Sequence, residues 1–527
     1  MTDPAPATPR IPWLGLAAVL LGAFVSTLNG RLSTFGLADI RGAVHAGFDE
    51  GAWITTAQSV AQMLVAPAAI WLGGIYGARR VLMEAAAAFA VVCLIQPYAP
   101  NLQTLLALQF VGGLASGCFI PLTLGFILRN MPPKVWAYGI ALYALNLEVS
   151  LNISASLEDW YIQHLSWRWI FWQNVPLALG MWYCLKVGTR PDPVNTAHPP
   201  ADWFGLLAGG LGLGLIYAAL DQGNRLDWQN SGLIWGLVCS GAVLLLAFVI
   251  HERTSVNPGV NLKVAFTAPL PRLLILVGFL RLTILSTAYL IPQFLITVRG
   301  YRSLEVGQTL IWLAVPQLGI CLIAGYSMRR MDPRFVASCG FILICVGCLM
   351  VAHGMTPTWG TDQFLPSQLL QAIGQSFALS GTVFFAILHL RPQDALTFGA
   401  AIQTARIMGG EIGLAFVTTF LRVRGQIASN LIGQHVQIGD PQVLQRVQMY
   451  GTATARAGDP ASVTTRGAAI LNNVVHATSI TQGIMDAFVV LAAATAITVM
   501  LVVSRRAAPQ GPASHVPLFG RRPAQVP

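Results

Sequence analysis

Fourteen apolar runs, each long enough to cross a lipid bilayer, constrain this chain more than any other feature of its sequence. They fall at 12–38, 53–74, 81–98, 103–127, 135–157, 169–187, 203–221, 232–250, 270–297, 307–326, 335–353, 364–388, 396–421 and 484–503. A hydrocarbon core about 30 Å thick takes roughly 20 residues of helix. It offers the backbone no hydrogen-bond partner, so such runs cross as helices that satisfy themselves. The fold class expected is an all-α membrane protein. Composition agrees, because only 10% of the 527 residues are charged, where a soluble chain carries about 25%. The 51 Gly and 31 Pro suit membrane helices, which tolerate both.

The basic residues set the orientation. With the N-terminus inside, the inner connections hold 18 of the 31 Lys and Arg: Arg10, Arg79, Arg80, Arg129, Lys134, Lys186, Arg190, Arg253, Lys263, Arg272, Arg329, Arg330, Arg334, Arg391, Arg505, Arg506, Arg521 and Arg522. The outer connections hold ten, and half of those lie in one long segment after run 13. Short loops decide topology and long ones do not. Both termini are therefore expected in the cytoplasm, with the chain in the inner (cytoplasmic) membrane. The net charge of +10 is spread in ones and twos at run ends, so no nucleic-acid partner is expected. No cleavable signal peptide is read in the first residues, because the apolar run from Ile11 is too long for a signal core. The segment 425–483 is polar, mildly amphipathic (Val443, Leu444, Val447, Tyr450) and external. It is expected as a surface loop or as a contact for a partner outside the membrane. Residues 507–527 have the Pro/Ala-rich composition of a disordered tail. All eight Cys lie in apolar runs without zinc-site spacing, so neither disulfide, metal nor cofactor is expected.

Several stretches resemble the major facilitator superfamily, in its fourteen-helix drug:proton antiporter branch of the EmrB/QacA type. Residues 167–176 read W-R-W-I-F-W-Q-N-V-P, close to that branch's W-R-W-I-F-x-I-N-V-P. Run 4 carries Gly113, Gly117 and Pro121; run 9 carries L-I-P-Q at 290–293; run 13 carries R-I-M-G-G-E-I-G at 406–413. The resemblance extends over about 53–506. It implies two pseudo-symmetric six-helix bundles, at 1–190 and 266–506, with two inserted helices at 191–265. The chain departs from the branch at four places. The first helix reads L-N-G-R-L-S-T at 28–34, without the branch's acid, and the turn after the second reads W-L-G-G-I-Y-G-A-R-R at 71–80. Gln109 replaces a basic residue, and L-N-I-S-A-S-L-E-D at 151–159 replaces the Gly-Pro-Gly-Gly motif of helix 5.

A charge at mid-membrane depth costs roughly 2.5–3.5 kcal/mol on insertion scales, so each demands a reason. Arg31 in run 1, Glu148 in run 5, Arg281 in run 9, and Arg406 with Glu411 in run 13 are the buried-charge and proton-coupling candidates. Under the two-halves reading, each half supplies one Arg and one Glu on equivalent helices. The expected pairs are Arg31 with Glu148 and Arg281 with Glu411, either tying helices together or lining a cavity. Arg406 is then a surplus positive charge, which tilts the substrate toward an anionic or neutral amphiphile. In run 5, Glu148, Asn152 and Ser156 share one helical face while Asn146, Ser150 and Ser154 share another. One stripe is expected to face the cavity and the other a neighbouring helix. Asn29, Asn152, Gln293 and Gln403 are the candidates for substrate hydrogen bonding. Glu84 is expected to pair with Arg80 at i, i+4, and Asp39, Asp221 and Asp486 to be solvated at the interfaces.

No phosphate-binding loop is present, and no catalytic constellation shares a depth, so an enzyme is not expected. The leading function is proton-coupled secondary export of small amphipathic molecules. Its partners are the substrate, the proton and the lipid bilayer, together with a periplasmic adaptor and an outer-membrane channel. The second class is a facilitator or importer of the same fold. The topology makes a direct prediction: reporter fusions at Pro193 and Arg330 should read as cytoplasmic, and one at Gly451 as external. A cytoplasmic signal at Gly451 would remove the fourteen-span arrangement.

Overall fold

The computed structural model describes residues 13–132, 135–189, 202–255, 270–389, 395–437, 439–454 and 461–504. The joints at 191–201 and 256–265, the expected tail and ten of the basic residues counted above (Arg10, Lys134, Arg190, Lys263, Arg391, Arg456, Arg505, Arg506, Arg521, Arg522) lie outside them. Among the described residues there is no strand. The long helices are α1 (Trp13–Phe35), α2 (Trp53–Ile75), α3 (Ala78–Ile95), α4 (Leu102–Gly117, resuming at Phe119–Asn130), α5 (Trp136–His164) and α6 (Asn174–Gly188). Then come α7 (Trp203–Gly223), α8 (Gly232–Thr254), α9 (Leu270–Leu285, resuming at Ile291–Thr297), α10 (Ser303–Arg330), α11 (Pro333–Gly354), α12 (Leu365–Leu388), α13 (Ala395–Gly433) and α14 (Ala461–Val503). Among the described residues, 12 spans are long and apolar enough to cross a membrane. Neither α6, with 15 residues, nor α13, which carries Arg406 and Glu411, is among them.

Helix ends and breaks follow local chemistry. Asn101, Asp202, Ser231 and Asp332 cap the starts of α4, α7, α8 and α11 with side-chain oxygens, each satisfying an orphan amide of the first turn. Helix α9 is interrupted by a π-turn over Ser286–Leu290, just before Pro292, which has no amide hydrogen. The hydroxyls of Thr283, Ser286 and Thr287 each donate to the carbonyl three residues back. They satisfy acceptors without recourse to lipid.

Two six-helix bundles and a pair of extra helices result. In the first bundle α1 packs on α5 and α6, α2 on α4, and α3 on α6; in the second, α9 packs on α13 and α14, α10 on α12, and α11 on α14. The matching of contacts is the signature of an internal repeat. The bundles meet along two equivalent seams, α5 against α10 and α2 against α13. The extra pair breaks the equivalence. Helix α7 lies against both α2 and α13, over one seam, while α8 packs on α7 and presents the rest of its surface outward.

The segment 425–483, expected as a loop, is helical over most of its described length. Helix α13 has 39 residues and α14 has 43, or about 58 Å and 65 Å at 1.5 Å per residue. Both are far longer than the ~30 Å a membrane requires. Their surplus, with the amphipathic helix Pro441–Thr454 packed on α14, forms a helical extension longer than a single span can take up. The polar composition gave a sound reading of exposure there but not of irregularity, because a helix held by neighbouring helices needs no apolar run of its own.

Close backbone approach holds the second bundle together at one point. A Cβ added at Gly409 of α13 would lie 2.6 Å from the Cα of Gly278 in α9, so only glycine permits this crossing. Gly409→Leu should force the helices apart and cost about 1–3 kcal/mol, as overpacking does. Gly180→Leu on the open face of α6, where nothing lies within 4 Å, should leave stability unchanged. Thermal unfolding of both variants in detergent checks the difference.

Candidate functional site

A cavity of about 260 Å³ lies between the two bundles. Its wall is built by Ser26, Thr27, Arg31 and Thr34 of α1, Thr55, Gln58, Ser59 and Gln62 of α2, and Leu151 of α5. The extra helix α7 adds Tyr217 and Asp221, α9 adds Arg281, Leu285 and Ala288, and α13 adds Arg406, Gly410, Glu411 and Leu414. These positions occupy the later part of α1 and the early part of α2, so the cavity is displaced from the end where α1 begins. At that end the bundles are packed shut. A Cβ on Gly399 of α13 would lie 2.3 Å from the Pro121 carbonyl oxygen. One on Gly325 of α10 would lie 2.6 Å from the Tyr138 ring, and Arg329 stands 5.6 Å from that ring's centre.

The charges around the cavity are arranged across the bundles, not within them. Arg31 donates from Nη2 to the Ala288 carbonyl at 3.1 Å and lies 5.0 Å from the centre of the Phe35 ring, while its Nε has no partner. Arg281 lies along Gly410, its Nε 3.6 Å from where a Cβ there would stand, and that Nε is also unpartnered. Arg406 donates from Nε and Nη2 to Gln403 Oε1 at 3.1 and 3.0 Å. Glu148 is 1% exposed and neither carboxylate oxygen has a hydrogen-bond partner. The charged group that acts on it is Arg281 of the opposite bundle, without direct ion-pair contact. Glu411 accepts from the Tyr217 hydroxyl and has Asp221 as its charged neighbour.

The two within-bundle pairs expected from the sequence are therefore not formed. Arg31 spends its guanidinium on a carbonyl of the second bundle, and its charged neighbour is Arg281. Asp221, expected to be solvated, is a cavity residue. It accepts from the Thr56 hydroxyl and from Gln222 Nε2 at 3.0 Å. Arg225 donates to Gln222 Oε1 at 2.8 Å and forms an ion pair with Asp49 at 2.5 Å. Its place at the end of an apolar run concealed it, since run ends normally face water. With Asp221 added to Glu148 and Glu411, the cavity region holds three acids against three arginines, and the surplus positive charge disappears. Asp486 is not free either: it pairs with Arg424. Glu84 does pair with Arg80, at 2.8 Å.

Three of the four expected substrate contacts are bonded within the protein instead, and the fourth lies off the cavity wall. Asn29 Oδ1 accepts from Asn174 at 2.8 Å, Asn152 donates to Gln317 Oε1 at 3.4 Å, and Gln403 holds Arg406. Gln293 is half-buried near the end of α9, away from the cavity wall. In α5 both polar stripes face helices. Asn146 and Ser150 donate to carbonyls of α1, whereas Asn152 and Ser156 meet α10. Small polar side chains serve as interhelical glue wherever two helices run side by side. The residues missed by sequence reasoning, Tyr217 and Gln58, carried one signal: Tyr217 stands one turn before Asp221 on the same face of α7.

The W-R-W-I-F-W-Q-N stretch acts as a clamp. Ile170 and Phe171 are fully buried, Trp172 Nε1 donates to the Leu94 carbonyl at 3.3 Å, Gln173 accepts from Tyr161 at 2.8 Å, and Asn174 holds Asn29. The stretch 167–176 thus joins α6 to α1, α3 and α5. The Major Facilitator Superfamily model matches residues 19–414.

The chain belongs to the major facilitator superfamily. It is a multi-pass membrane transporter and not an enzyme. The resemblance to the EmrB/QacA-type branch holds among its curated relatives. The multidrug export protein EmrB of Haemophilus influenzae is 25% identical over 80% of this chain and 83% of its own. The probable multidrug resistance protein EmrY of Escherichia coli is 28% identical over 79% and 82%, and the fatty acid resistance protein FarB of Neisseria gonorrhoeae 24% over 81% and 84%. Two solved structures share the fold. The human organic anion transporter MFSD10 covers 94% of this chain and 100% of its own (TM-score 0.57, 13% identity). The proton:xylose symporter XylE covers 93% and 94% (TM-score 0.58, 9% identity).

The cross-bundle arrangement predicts which charges are coupled. In a double-mutant cycle read by thermal stability, Arg281→Ala and Glu148→Ala should couple by about 0.5–3 kcal/mol. Arg31→Ala and Glu148→Ala should be additive within about 0.5 kcal/mol.

Proposed function

We propose that this transporter exports small amphipathic molecules in exchange for protons, with Glu148 as the proton carrier. The observation that carries the reading is a fully buried carboxylate with no hydrogen-bond partner, facing an arginine of the opposite bundle across the central seam. When the bundles rock about a central site, a charge held from the far side is the one whose surroundings change most. Proton coupling requires a group whose protonation follows that change. Relatives that bear multidrug export names support a small-molecule substrate.

The chain sits in the cytoplasmic membrane as fourteen spans with both ends inside, an arrangement supported by the inward bias of Lys and Arg in short loops. The cavity then lies toward the outside, with the cytoplasmic end closed by the contacts of Gly399 and Gly325. The extension formed by α13, Pro441–Thr454 and α14 projects from the outer face. It offers a periplasmic adaptor an apolar groove between Val443, Leu444, Val447, Leu471 and Val475; an outer-membrane channel completes that assembly.

Glu148→Gln keeps the shape of the side chain and cannot cycle a proton. In proteoliposomes it should lose gradient-driven substrate movement by at least about a hundredfold, while binding and passive exchange persist. Unimpaired uphill transport by Glu148→Gln moves the assignment to Glu411. If Glu411→Gln also concentrates substrate, the facilitator reading replaces antiport.

A further inference from the structure

The central cavity is electrostatically divided. On one flank of α13, Arg281 packs against Gly410, and its charged neighbours include Arg31 and Arg406. On the other flank, Glu411 has Asp221 as its charged neighbour and accepts from Tyr217. Gly410 and Glu411 are consecutive, so their side-chain directions differ by about 100° around the helix, one toward α9 and the other toward α7. Like charges are thus gathered on each side of a single helix. Gathering like charges at low dielectric is costly unless an opposite charge joins them.

The protein's own counter-charges are incompletely engaged. Glu148 faces Arg281 without contact, Arg406 is bonded to a neutral amide, and Arg225, the cation nearest Asp221 on α7, is committed to Asp49. The Nε donors of Arg31 and Arg281 are unpartnered. On the cavity wall stands Gln58, 2% exposed, with neither its Nε2 nor its Oε1 hydrogen-bonded. Its Nε2 lies 3.9 Å from where a Cβ on Gly30, the neighbour of Arg31, would stand, while Thr56, two residues before it, donates to Asp221. A buried amide with donor and acceptor both unmet, at the boundary of a positive and a negative flank, is suited to a ligand that carries both signs.

We propose that the cavity binds a dipolar ligand, its carboxylate held by Arg31 and Arg281 and its ammonium group by Asp221 and Glu411, with Gln58 between them. This deepens the export reading and rests on it for the direction in which the ligand moves. It also gives the inserted helix α7 a part in recognition: by adding Asp221 and Tyr217 to one seam, it makes the cavity two-sided.

The test uses the full chain in lipid nanodiscs and three probes of one skeleton. Para-aminomethylbenzoic acid carries both charges, its methyl ester only the cation, and its N-acetyl derivative only the anion. By calorimetric titration the parent acid should bind at least about tenfold tighter than either derivative, which is one decade of affinity per unmet charge. Asp221→Asn should abolish the parent's advantage over the N-acetyl derivative while keeping its advantage over the ester. Arg31→Gln should do the reverse. Equal binding of the parent and either derivative by the wild-type protein overturns the proposal, and so does an Asp221→Asn variant with an unchanged preference. If either variant fails to fold, the wild-type comparison still decides. Selective binding of the parent without gradient-driven movement in vesicles upholds this site and removes the export reading.

Discussion

A bilayer offers a polar group no partner, and most of this structure is an answer to that one fact. Backbone groups are satisfied inside helices. Side chains that ionise must then turn toward other helices, because an unpaired charge facing lipid costs several kcal/mol. Arg31, Arg281, Arg406, Glu148 and Glu411 all occupy the space between the bundles. Where an opposite charge is out of reach, a carbonyl or an amide substitutes: Ala288 for Arg31, Gln403 for Arg406. Even the π-turn of α9 obeys the rule, its hydroxyls returning to the carbonyls that the irregular turn presents.

Pseudo-symmetry governs the scaffold but not the site. The two bundles repeat one another contact for contact, and the seams α5–α10 and α2–α13 are equivalent by that repeat. Helix α7 covers only the second seam. Its side chains there, Tyr217 and Asp221, have no counterpart at the first seam. The acids of the cavity consequently cluster at α7 and α13, and the arginines at α1, α9 and α13. A symmetric pair of Arg and Glu in the sequence thus becomes an asymmetric constellation once a third structural unit enters.

Rigid contacts flank this polar centre at both ends. The decapeptide at 167–176 clamps α6 to α1, α3 and α5 through buried aromatics and three side-chain hydrogen bonds. Glycine contacts draw α13 against α9 and against the Pro121 turn of α4. Between the clamped ends, the cavity wall is lined by hydroxyls, amides and charges whose bonding is incomplete. Incomplete bonding in a buried wall is expected where a ligand must complete it.

Period and composition made the membrane helices legible, because a span is a local property: about 20 apolar residues identify it wherever it packs. The i, i+4 pair of Arg80 and Glu84 was legible for the same reason, being local too. Partners were not. Which acid meets which arginine depends on how helices far apart in sequence are rotated about their axes, and a few tens of degrees exchanges one neighbour for another. Asp221 illustrates the limit, since the end of an apolar run reads as interface until another helix covers it. Asn29, Asn152 and Gln403 mark the opposite error: an amide that reads as a ligand contact is taken by Asn174, Gln317 or Arg406. The helical course of the described part of 425–483 depended on the extended α13 and α14 packing together. The sequence by itself determined how many apolar runs there are and which of them carry charges; the tertiary structure alone decided who faces whom, because facing is set by packing between bundles and not by any period along the chain.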